Sequence, residues 1–237
     1  MTFISRRDLL KRVAGAAAAV PFARTQASGM PAGAPGGSSA PEHSADAERS
    51  NAFALQRGEP LENLTAGEMD TVEAVVARLI PSDEHGPGAT EARAARYIDR
   101  ALGGALSASR DAYTAGLAAL DRHARASHGA AFRDLPATAQ DSVLRDVEAG
   151  TAAEFGGGSA AFFSLLLSHT HQGTFGDPYY GGNANFAGWD LIGYPGVRTM
   201  VAPADQRSLE AHQMTPNHRS AYGDDSFTKA AEDRHGR

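Results

Sequence analysis

The sequence predicts an all-α fold, a single bundle of about five helices with a long ordered loop rich in glycine and aromatic residues. Three observations lead there. Apolar residues recur at helical spacing in successive segments between Thr65 and His169. No stretch alternates apolar and polar residues over the length of a strand. From Ser168 to Gly196 glycines and prolines break the periodicity, yet this stretch holds the single tryptophan and three of the six tyrosines. A solvated linker is polar and poor in aromatics, so the loop is expected to be ordered.

Residues 1–27 read as a twin-arginine export signal. Ser5-Arg6-Arg7-Asp8-Leu9-Leu10-Lys11 fits the pattern S-R-R-x-[FL]-L-K, with Arg6 and Arg7 as its arginine pair. The weakly apolar run Val13 to Phe22 suits a signal core. It is too short for a membrane span, which needs about 20 apolar residues. Thr25-Gln26-Ala27 offers a cleavage site, and whether it is cut stays open. The alternative is a basic amphipathic N-terminal helix. Residues 28–60, rich in Gly, Pro, Ala and Ser, are expected to form a flexible linker.

The folded domain is expected over residues 61–200. Thr65-Ala66-Gly67-Glu68 has the form of a capping box. Met69, Val72, Val76 and Leu79 then follow helical spacing until Pro81 stops the helix. A second helix is expected from about Ala89 to Leu102, ended by Gly103-Gly104. A third runs from Ser107 to Ser127, with Tyr113, Leu117, Leu120 and Ala124 facing the core, and His128-Gly129 closes it. Asp134-Leu135-Pro136 introduces a fourth, to about Ala149. The fifth, about Gly158 to His169, is apolar on every side and is therefore expected at the centre. It delivers the glycine- and aromatic-rich loop. In that loop Gly181, Gly182, Gly193 and Gly196 suggest positive φ or close backbone approach. Residues 201–237 are polar and are expected to be a disordered tail.

Composition removes several classes of function. The net charge of −6 and a pI near 5.8 argue against nucleic acid as a partner. Without cysteine the chain holds no disulfide, thiolate metal site, iron–sulfur cluster or C-x-x-C-H haem attachment. Gly156-Gly157-Gly158-Ser159-Ala160-Ala161 loosely fits a dinucleotide fingerprint but lacks the preceding buried strand. The one Glu-x-x-His spacing, Glu232 to His235, lies in the tail, so a di-iron bundle is not indicated. His169 and His171 could join one metal ion only if the helix ended at His169, because residues two apart on a helix point about 200° apart. Asp177 or the Asp83-Glu84-His85 group would then have to complete the site. Against this stand two structural readings. His169 would hydrogen-bond loop backbone and pin the loop, and Ser82 or Asp83 would cap a turn. No catalytic constellation emerges. The aromatic residues Phe175, Tyr179, Tyr180, Phe186, Trp189 and Tyr194 either staple the loop to its own bundle or form a partner interface.

The run His169-Thr170, Gly173, Phe175, Asp177-Pro178-x-Tyr180-Gly181-Gly182-Asn183 and Gly188-Trp189-x-x-Ile192-Gly193-Tyr194-Pro195-Gly196 resembles the gluconate 2-dehydrogenase subunit 3 family. The segment Ile80-Pro81-x-Asp83 followed by Pro87-Gly88-Ala89 is a second mark of that family. The resemblance covers roughly residues 62–198 together with the signal. It implies a non-catalytic small subunit of a periplasmic, membrane-associated, FAD-dependent sugar or sugar-acid dehydrogenase. FAD would lie in a large subunit of the glucose–methanol–choline oxidoreductase type. Haem c would lie in a membrane-bound cytochrome subunit. The small subunit would bind no cofactor and no metal itself; it would stabilise the flavoprotein and lead it through the twin-arginine translocase. His169, Asp177, Tyr179, Tyr180, Asn183, Trp189 and Tyr194 are the residues expected to touch the partner or to hold the loop. Two other readings stay open, a stand-alone periplasmic metal enzyme using His169 and His171, and a periplasmic sugar-binding protein.

Overall fold

The first helix opens with a reciprocal cap. Glu68 N–H donates to Thr65 Oγ1 at 3.3 Å and Thr65 N–H donates to Glu68 Oε2 at 2.9 Å. A computed structural model describes residues 60–223 other than 85, 199 and 212. The expected export signal with Arg6 and Arg7, the linker up to residue 59, and residues 224–237 lie outside the described residues. The helices are α1 (Ala66–Leu79), α2 (Ala94–Ala101), α3 (Arg110–His128), α4 (Ala137–Glu148), α5 (Ser159–Phe175), α6 (Ala187–Ile192) and α7 (Pro203–Glu210), joined by short 3₁₀ turns. No strand occurs among the described residues, so the fold is all-α as the sequence predicts. The five expected helices are α1 to α5. The additional α6 and α7 lie within the stretches read as loop and tail.

The core is built from one face of each bundle helix. Val72, Val75 and Val76 of α1, Ile98 of α2, Tyr113 and Leu120 of α3, Val143 and Val147 of α4 and Leu166 of α5 are all but fully buried in one cluster. Helix α5 touches each of α1, α2, α3, α4 and α6, which makes it central. It is not buried on every side, however. Ala160, Ala161, Ser164, Ser168 and Gln172 form an exposed stripe along it. Small and polar residues on that line explain how an apolar helix keeps one side in water.

Two boundaries differ from expectation. Helix α2 begins at Ala94 rather than Ala89, because Arg93 takes a left-handed conformation (φ 58°). The backbone ahead of it is used elsewhere: Ala89 N–H donates to the Ile80 carbonyl at 2.8 Å, and the Ala92 carbonyl accepts from Ala184 N–H at 3.1 Å. Helix α5 runs on past His169 to Phe175. Its added turns are supported from within, since the Thr170 and Thr174 hydroxyls donate to the Leu166 and Thr170 carbonyls at 2.7 and 2.8 Å. The helix stops at Gly176 because Asp177 precedes a proline and is held extended (φ −66°, ψ 132°).

A buried carboxylate absent from the sequence reading ties the entry of the domain to α2. Asp99 has no exposed surface and accepts from the backbone N–H groups of Glu62, Asn63 and Leu64 at 2.9, 2.9 and 2.8 Å. Arg96 Nη1 donates to the same carboxylate at 2.7 Å, so the buried charge is paired and hydrogen-bonded.

Candidate functional site

After Gly176 the chain turns back along the end of α5 and clasps it. Asn183 is the hinge pin. Its N–H donates to the Gly173 carbonyl at 2.7 Å, its Nδ2 to the Gly176 carbonyl at 2.8 Å, and its Oδ1 accepts from Gly188 N–H at 2.8 Å. It sits in the left-handed region (φ 43°), which asparagine tolerates better than most residues. Gly188 has to be glycine, because a Cβ there would stand 1.8 Å from the Thr174 carbonyl oxygen. That contact starts α6 directly on the α5 backbone. Trp189 then donates from Nε1 to the Phe175 carbonyl at 2.8 Å, with its ring between Phe186 (5.4 Å) and Tyr194 (4.7 Å). The expected positive φ values occur at Gly181, Gly193 and Gly196, and the expected close approach occurs at Gly182, against the Gly173 carbonyl.

The second marked stretch, Ile80 to Ala89, lies against this clasp. Leu191 of α6 reaches to Gly86, and Ala184 is bonded to Ala92. Just beyond the stretch, Glu91 Oε2 accepts from Ser82 Oγ at 2.5 Å and from Gly88 N–H at 2.8 Å. Asp83 and Gly86 exchange backbone hydrogen bonds at 3.1 Å each. Glu91 and Ser82 together therefore gather the turn. His85 lies outside the described residues.

The metal reading of His169 and His171 loses its geometric condition. Because α5 continues through both, their rings leave opposite sides of the helix. His169 is buried and stacks on Tyr113 of α3 at 5.8 Å, with Nδ1 3.1 Å from the Tyr113 hydroxyl. Its partner is thus a core tyrosine, not loop backbone as expected. Burial pushes the Tyr113 hydroxyl well above the usual phenol range and His169 below the usual imidazole range. Both stay neutral near pH 7, sharing one hydrogen bond between the hydroxyl and the ring nitrogen. His171 is half-buried near Phe175, and burial lowers it too. Among the described residues no three His, Asp or Glu side chains gather as metal ligands. Gly156-Gly157-Gly158 follows a 3₁₀ turn (Ala153–Phe155), with no strand before it to form a dinucleotide cradle.

Geometry divides the predicted aromatic residues. Trp189 and Phe186 are buried staples. Tyr194 is 36% exposed at the edge, whereas Tyr179 and Tyr180 are 55% and 49% exposed and packed edge to face at 5.4 Å. Asp177 holds that pair by accepting from Tyr179 N–H at 3.0 Å, which caps the turn Pro178–Tyr180. Tyr222, which the sequence reading missed, completes the group. It stacks on Tyr179 at 4.0 Å and shares a hydroxyl–hydroxyl hydrogen bond with Tyr180, which pushes Tyr180 up to about 12. Residues 201–223 are therefore not a featureless tail: they hold α7 and a segment laid on the clasp. A lone tyrosine in a polar stretch offered no periodic signal for this.

The site is thus a backbone clasp held on a helical bundle by Asn183 and Trp189, with two tyrosine rings turned outward. The family model described as gluconate 2-dehydrogenase subunit 3 matches residues 66–196, more than half of the chain, and the chain belongs to that family. By that description its members are subunits of a larger enzyme. Among curated proteins and solved structures none matches the chain. No helix among the described residues is long and apolar enough to cross a membrane.

Proposed function

We propose that this chain is the non-catalytic small subunit of a periplasmic, membrane-associated, FAD-dependent sugar or sugar-acid dehydrogenase, and that it docks on the flavoprotein subunit through the tyrosine rim of the clasp. The observation behind this reading is the division of labour in the signature stretch. Asn183, Gly188 and Trp189 spend their contacts on the chain's own backbone, while Tyr179 and Tyr180 stay half-exposed on a rigid support. Rings held in this way bury area on association at small entropic cost. The flavin in the large subunit would oxidise the substrate, and haem c in a membrane-bound cytochrome would take the electrons onward. This chain would stabilise the flavoprotein and accompany it through the twin-arginine translocase.

The test is a titration of the flavoprotein subunit with wild type, Tyr179→Ala and Tyr180→Ala chains, with melting temperatures alongside. A rim residue at the centre of the interface should weaken assembly by about 2 kcal/mol, roughly thirtyfold, with the melting temperature nearly unchanged. Trp189→Ala should do the reverse and lower the melting temperature first. Unchanged assembly in both tyrosine variants would remove the rim from the interface.

A further inference from the structure

The segment from Asn217 to Tyr222 lies beyond the family-matched residues and reaches back across the clasp. Asn217 Nδ2 donates to the Val197 carbonyl at 2.7 Å, and its N–H to the Pro195 carbonyl at 3.3 Å. His218 stacks on Phe186 at 5.0 Å and places Nε2 2.6 Å from Asp190 Oδ1. Ser220 Oγ and Ala221 N–H donate to the two oxygens of Asp177 at 2.6 and 2.9 Å. Tyr222 meets both rim tyrosines. This segment, with His218 in the left-handed region (φ 48°) and its end in the 3₁₀ turn Ala221–Gly223, thus reads two carboxylates, an aromatic edge and two carbonyls of one surface, as a bound peptide does.

The attachment is superficial. No residue described between 201 and 223 is buried, and none of them joins the core cluster. Segments held by part-buried and exposed surface contacts, with no residue in the core, open at lower free energy than the bundle beneath them. The groups they cover, Asp177 and Asp190, belong to the signature stretch itself.

We infer that the clasp is a docking surface for a peptide segment, that residues 217–222 fill it in the free subunit as a resident latch, and that a segment of the flavoprotein subunit displaces them on assembly. This rests on the docking reading above. The displacing segment is defined by what the latch supplies: N–H or hydroxyl donors for Asp177 and Asp190, followed by an aromatic ring for Tyr179 and Tyr180. When the competent state is only partly populated, apparent affinity falls by that fraction, so loosening the latch tightens binding.

The experiment uses the full chain, as wild type and as the Ser220→Ala/Tyr222→Ala double variant. Hydrogen exchange at the Ala221 amide is followed in the free chain and in complex with the flavoprotein subunit, and both chains are titrated into that subunit. In the free wild type Ala221 should be protected. In the free double variant, and in the wild-type complex, it should exchange about tenfold faster or more. The double variant should assemble about three- to tenfold more tightly. A complex that forms normally with equal or weaker affinity for the double variant, or with Ala221 still protected, overturns the latch alone. Absence of any complex with either chain overturns the docking reading and the latch with it.

Discussion

Asn183 links three backbone groups of two elements, and its side chain has no exposed surface. Asn183→Ala removes the partner of both the Gly176 carbonyl and the Gly188 N–H. A buried group stripped of its partner costs about 1–3 kcal/mol, so a loss of roughly 2–4 kcal/mol in urea unfolding is expected, read as a lower midpoint at constant slope. Tyr180→Ala, at the rim, should stay within about 0.5 kcal/mol. His169 makes a second residue-scale prediction. Burial lowers its folded-state value below the ordinary imidazole value, so at mildly acidic pH the unfolded chain binds more protons than the folded one. Its contribution to stability is full above about pH 6.5 and declines as pH falls from there through the lowered folded value. His169→Gln should flatten this part of the stability–pH curve. His171 shifts in the same direction, so the variant should retain a residual slope from it. A curve identical to wild type would show that the buried His169–Tyr113 pair does not govern acid sensitivity.

Among the elements, the crossing of α2 and α5 sets the position of the whole clasp. Gly173 permits it: a Cβ there would lie 2.9 Å from both the Cα and the carbonyl oxygen of Ala94. Those are backbone atoms and cannot swing aside. Gly173→Ala improves helix propensity by about 1 kcal/mol, yet overpacking at a backbone contact costs roughly 1–3 kcal/mol. The expected result is a net loss of stability with helical circular dichroism retained. It should be accompanied by faster exchange at the Asn183 amide, whose acceptor is the Gly173 carbonyl. A more stable variant would mean that the helices separate without penalty. The extension of α5 to Phe175 belongs to the same scale. Periodicity alone favoured an end at His169, because the residues that follow are polar and include a glycine. Their burial against α2 overrides that weak local preference.

For the molecule as a whole, the proposed route out of the cytoplasm can be tested separately from the fold. Replacing Arg6 and Arg7 together by Lys should leave the chain, and any partner without a signal of its own, in the cytoplasm. Fractionation followed by immunoblotting reads this directly. Periplasmic accumulation of both proteins after the change would defeat the export assignment. The bundle should fold identically in that variant, since the core cluster lies between Leu64 and Leu166.

The all-α class, five of the helices and the family resemblance were legible in the chain, because apolar spacing, capping residues and the glycine and proline signals act over a few neighbouring residues. The Thr65–Glu68 cap is such a local feature, and it forms as read. What the tertiary structure decided depends on groups far apart in sequence. Asp99 finds its backbone donors more than thirty positions away, His169 finds Tyr113, and Asp177 finds Ser220. None of these pairs leaves a periodic trace, since a hydrogen bond needs only one suitable atom brought within about 3 Å by the fold. The same reason separates the rim from the staples. Tyr180 and Trp189 look equivalent in the sequence, and only the packing of α6 on α5 turns one outward and the other in.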